Sequence, residues 1–164
     1  MSFILNDGGR EAAGYHGKAG DCVARSIAIA SGLPYADVYS DLANGNYQQR
    51  ASKSTGFRRR PRSANDGIFT SRKWFKDYML GLGFVWTPTM SIGSGCQVHL
   101  AADELPAGRL VLSLSKHYTA MIDGVIHDTF DPRRTVVVTT PGNPVPRIIE
   151  TRCVYGYWSF PDAL

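Results

Sequence analysis

The spacing of apolar residues changes once along this chain, near Gly83, and that change limits the folds open to it. Before it, apolar side chains recur every three to four residues, which lines one side of a helix. After it they alternate, or gather in short runs rich in β-branched and aromatic residues, which suits strands. Asp21 stands as a helix N-cap before CVARSIAIA, and Ser31-Gly32 stops that helix. Only Arg25 and Ser26 interrupt its apolar surface, so this first helix is expected at the centre of the fold. Pro34 then opens YADVYSDLANG, amphipathic through Tyr35, Val38, Tyr39 and Leu42 and ending at Asn44-Gly45. A third helix is expected from Ser71 to Leu82, with Trp74, Phe75, Tyr78 and Met79 as core. The strands are FVWTP, RLVLSLS, HYTAMI, VIHDTF, TVVVTT and CVYGYWSF, separated by Asp-Gly, Asp-Pro, Pro-Gly and Asn-Pro turns. Helices first and strands second predict one α+β domain over 1–164, with an antiparallel sheet and a glycine-rich irregular arm over 1–20.

Composition permits such a core. At 164 residues and 43% hydrophobic, the chain can bury enough surface to fold without staples, which excludes low-complexity and disordered classes. No apolar run approaches the ~20 residues of a membrane span, and MSFILNDGGR lacks the basic start and apolar stretch of a secretory signal. A cytoplasmic protein without membrane contact is the expectation. Cys22, Cys96 and Cys153 form no CxxC and no zinc-site spacing with histidine, so no metal or organic cofactor is implied. Their odd number suits a reducing compartment, with Cys96 and Cys153 as packing residues.

The net charge of +4 is too small to demand an acidic partner, but its distribution is uneven. Arg50, Lys53, Arg58, Arg59, Arg60 and Arg62 lie within a basic loop, 46–67, while outside the acid-free stretch from Leu42 to Asn65 acidic side chains outnumber basic ones by fourteen to twelve. Arg58, Arg59, Arg60 and Arg62 beside Phe57 are candidate contacts for phosphates of a nucleic acid, although glycine, serine and proline around them equally suit a solvated loop.

The Asp123-Gly124 pair fixes a register. Asp-Gly suits a two-residue type I′ hairpin turn, which sets Ile122 against Val125, Ala120 against His127, Thr119 against Asp128 and His117 against Phe130. Alternation then puts His117, Thr119 and Met121 on one face with Ile126, Asp128 and Phe130. His117 and Asp128 become diagonal neighbours at about 7–8 Å between backbones, within mutual reach of an imidazole and a carboxylate. A carboxylate that orients a histidine is the base half of a nucleophilic triad. Cys22 offers the nucleophile, since free amides and the positive end of a helix dipole in the first turn stabilise a thiolate.

A cysteine opening a central helix, a histidine opening a later strand and an Asp on the next strand, in the order Cys22, His117, Asp128, resemble the papain-like cysteine peptidase fold over residues 15–131. The strings GDCVARSIAIASG and SKHYTAMIDGVIHDTFDP are also similar to those of small phage- and prophage-encoded proteins. The resemblance implies N-terminal helices packed on a C-terminal sheet and a thiol hydrolase, cysteine peptidase or isopeptidase, acting on a peptide or protein through an acyl-enzyme. In that family a glutamine about six residues before the cysteine donates to the oxyanion. Here that spacing falls on His16, and Gln97 in GSGCQVHL is the competing donor.

Two other classes remain open: an inert papain-fold binding module that sequesters a host protein, and a nucleic-acid-binding protein using the basic loop. Arg25 is expected in a structural ion pair with Asp128 or Asp131, because a buried guanidinium requires a partner. His99 and His127 are expected as surface or strand residues.

Overall fold

The computed structural model describes residues 1–49 and 62–161. Three helices, α1 (Cys22–Ser31), α2 (Tyr35–Gln48) and α3 (Lys73–Gly81), pack on a six-stranded sheet. Its strands are β1 (Ser2–Leu5), β2 (Val85–Pro88), β3 (Arg109–Leu114), β4 (His117–Ile122), β5 (Val125–Asp128) and β8 (Val154–Phe160), in the order β1-β5-β4-β3-β8-β2. A separate hairpin pairs β6 (Thr135–Thr140) with β7 (Asn143–Glu150). The class is α+β, and the sheet is antiparallel except where β1 runs parallel to β5. Among the described residues no helix is long and apolar enough to cross a membrane.

Alternation along β3 divides the core. Leu110, Leu112 and Leu114 join Leu100, Met121 and Ile126 on one face. Val111 turns to the other face, where it meets Ile27, Val38, Leu42, Phe75, Phe84 and Trp158 under the helices. α1 is buried along nearly its whole length, Arg25 and Ser26 included, as its apolar surface requires.

Several boundaries differ from expectation. Residues 2–5 are strand β1 and not part of an irregular arm; their partner β5 lies more than a hundred residues away, and a parallel pairing leaves no local turn signal. β7 went unrecognised because Pro144 and Pro146 punctuate it, yet the strand borders a two-stranded sheet with a free edge, where prolines are tolerated. α2 continues through Asn44-Gly45 to Gln48. Gly45 there serves packing, since a Cβ would sit 2.3 Å from the Trp74 ring. The basic stretch therefore begins after α2, and Arg50, Lys53, Arg58, Arg59 and Arg60 lie outside the described residues. Arg62 is exposed, with its guanidinium 4.8 Å from the Tyr47 ring centroid. α3 starts at Lys73, two residues later than expected; Phe75 and Met79 are fully buried while Trp74 and Tyr78 are partly buried against them.

Candidate active site

Local chemistry brings three chain segments to one place. The Asp123-Gly124 turn forms as expected, with φ of 47° and 78°, and sets Ile122 opposite Val125 and Ala120 opposite His127. At the other end of β4 the chain reverses from Leu114 to His117 through two residues, with Lys116 at φ 56°. That left-handed residue starts β4 on His117. Asp128 ends β5, and Cys22 begins α1.

His117 and Asp128 meet. His117 Nε2 lies 2.6 Å from Asp128 Oδ2, and the remaining oxygen, Oδ1, accepts from the Thr129 amide at 2.7 Å. Asp128 is 3% exposed, so this is a buried, charge-assisted contact. The Cys22 thiol lies near the same imidazole, close enough to raise its pKa. Burial disfavours the imidazolium, but the hydrogen bonds and negative charge of Asp128 and Cys22 outweigh it and raise the His117 pKa to about 9. The Phe130 ring packs on the imidazole at 4.9 Å between centroids while remaining 53% exposed, covering the site on that side.

Behind these three side chains lies a buried charge network. Arg25, 3% exposed, approaches Asp21 Oδ1 at 3.3 Å and Asp128 Oδ1 at 3.8 Å. Of the two partners expected for it, Asp128 is the one it meets. Asp131 instead binds Arg133 on the surface, which holds its carboxyl below the usual aspartate range. Asp21 does not cap α1 through its side chain. Its carboxylate receives Arg10 Nε at 3.0 Å and the Tyr35 hydroxyl, partners that only the tertiary fold supplies. Burial raises the Tyr35 phenol and the hydrogen bond to Asp21 raises it further, so Tyr35 donates throughout the neutral range.

Both candidate oxyanion donors lie exposed in irregular segments, and of the two side chains Gln97 has a partner of its own. His16 is exposed, and its carbonyl accepts from Arg10 Nη2 at 3.3 Å. Gln97 is exposed and donates its side-chain amide to the Ser94 carbonyl at 2.7 Å. Asn65 went unnoticed in the sequence: its Oδ1 accepts from the Gly20 amide at 3.0 Å and so anchors the backbone two residues before Cys22. No local motif marks such a contact across forty-five positions.

Cys96 and Cys153 are joined in a disulfide with 5.7 Å between their Cα atoms, contrary to the expectation that both are packing residues. Three cysteines are thus one bridge and one free thiol, Cys22, and an odd count carries no information about compartment. His99 is partly exposed beside Glu104, and His127 lies on β5 with Nδ1 3.2 Å from Asn6 Nδ2.

Comparison of the chain with protein-family models, with curated proteins and with solved structures found no match. The functional reading accordingly rests on the chemistry of the site.

Proposed function

We propose that this chain is a papain-like thiol hydrolase, acting on a peptide or isopeptide bond, with Cys22 as nucleophile, His117 as acid and base and Asp128 as the group that orients it. The observation that carries this reading is the His117 ring held between the Asp128 carboxylate and the free thiol at the start of α1. A ring of pKa about 9 holds its proton at neutral pH and pairs with the thiolate left by transfer from Cys22.

The thiolate attacks the carbonyl carbon, and the S–C bond forms as the C=O electrons move to oxygen. Backbone amides at the first turn of α1 face that developing charge. The tetrahedral species collapses, the C–N bond breaks and His117 gives its proton to the departing amine, leaving a thioester on Cys22. Water then attacks the thioester, His117 takes its proton, and the C–S bond breaks to release the acid and restore the thiolate. Asp128, backed by Arg25, fixes the ring while its charge changes.

An activated ester tests this directly. With p-nitrophenyl acetate the wild-type protein should acetylate at Cys22 and turn over, Cys22→Ala should do neither, and His117→Ala should lose at least about a hundredfold in rate. Acetylation scattered over lysines, or turnover unchanged in Cys22→Ala, would contradict the reading.

A further inference from the structure

A cavity of about 250 Å³ opens between α3 and the sheet, one residue along β4 from His117. Its walls are rings, Trp86 of β2, Tyr118 of β4 and Tyr155 and Trp158 of β8, with Ser71 and Lys76 exposed at the rim. Trp86 reaches over β8 because Gly156 carries no side chain; a Cβ there would sit 2.3 Å from the indole. Trp86 and Trp158 then lie 5.1 Å apart between centroids.

Tyr118 joins this cavity to the site. It packs in the same apolar cluster as Cys22. Burial raises its phenol, hydrogen bonds to Ser113 and Thr70 act in the opposite direction, and the charge of Cys22 raises it again, as expected of a ring close to the thiol.

Size and lining define the occupant. Pockets for whole small ligands run from roughly 300 to 1,000 Å³, so this one has room for a single side chain of a larger molecule. Facing aromatic surfaces favour a ring by edge and face contacts. Lys73 is paired with Asp77, whereas Lys76 has no ion pair among the described residues and offers its ammonium at the mouth.

We propose that this cavity takes an aromatic side chain of a polypeptide substrate whose adjoining residue is acidic, with the ring among Trp86, Tyr118 and Trp158 and the carboxylate on Lys76. The purpose of the pocket rests on the hydrolase reading; the binding itself does not.

The tryptophans in the wall report occupancy. The blocked dipeptides acetyl-Phe-Glu-amide and acetyl-Glu-Phe-amide are titrated against the full chain, in wild type and in Cys22→Ala, with tryptophan emission as the readout. At least one should give a saturable change of equal affinity in both proteins, and replacing Phe by Ala should weaken it about tenfold or more. Ser71→Phe, an exposed change that fills the mouth, should abolish the signal. Lys76→Glu should weaken the Glu peptide about fivefold or more and leave its Gln counterpart unaffected. No saturable change, equal binding of the Ala peptide, or full binding in Ser71→Phe would overturn the pocket. Acetylation of Cys22 is scored separately: its loss with binding intact removes the hydrolase reading alone, and its retention without binding removes the pocket alone.

Discussion

Asp128 receives His117 Nε2 on one carboxylate oxygen at 2.6 Å and faces the buried Arg25 guanidinium with the other at 3.8 Å. The acid that would orient the base is therefore itself held by a cation that water does not reach. This pairing places a buried cation behind the carboxylate that faces a ring whose charge has to change.

A pH dependence of stability follows. The His117 pKa is about 9 in the folded chain, against about 6.5 for a free imidazole. A raised pKa means that the folded state holds the proton more tightly, so the stabilisation is fully present below about pH 6.5 and is lost as pH rises through about 9. At about 1.4 kcal/mol per unit a shift of this size is worth roughly 3–4 kcal/mol. Urea midpoints between pH 6 and 10 should fall over that window, and His117→Ala should remove this part of the fall.

Arg25 should be costly to remove. Truncation to Ala leaves Asp128 without its buried cation and Asp21 with Arg10 as its remaining cation, and breaking a buried pair costs about 3–5 kcal/mol. Chemical denaturation of Arg25→Ala is expected to show a loss in that range, whereas Lys73→Ala, which breaks an exposed pair, should lose less than about 1 kcal/mol.

At Gly45 the usual sign reverses. Replacing glycine by alanine inside a helix ordinarily stabilises by about 1 kcal/mol. Here the new methyl would meet the Trp74 ring at 2.3 Å, so Gly45→Ala should destabilise by about 1–3 kcal/mol in thermal or urea unfolding.

The bridge between Cys96 and Cys153 has a countable signature. Alkylation after unfolding without reductant should modify one cysteine, Cys22, and after reduction all three. Cys96→Ser should lower stability by about 2–4 kcal/mol, as expected for opening a loop of 57 residues.

What could be read from the sequence was whatever neighbouring residues decide. Asp123-Gly124 announces its own turn, the turn fixes the register, and the register brings His117 to Asp128. α1 likewise begins at Cys22, where the apolar run itself begins. Long-range partners left no such trace. Asp21 reads as a helix cap because cap chemistry is local, whereas its real partners, Arg10 and Tyr35, arrive only with the tertiary fold. The same holds for β1 beside β5, for Asn65 against Gly20 and for Cys96 with Cys153. β7 shows a third case, in which proline punctuation that normally interrupts a strand is accommodated at a free edge.

The central claim is that Cys22 and His117 work as one unit, and the rate of Cys22 alkylation by iodoacetamide between pH 5 and 9 tests it most directly. Paired with a protonated imidazole, wild-type Cys22 should still react at pH 6, where an ordinary thiol of pKa about 8.5 has fallen off by more than a hundredfold. His117→Ala should restore that ordinary fall. A wild-type profile that coincides with that of His117→Ala at every pH would contradict the account.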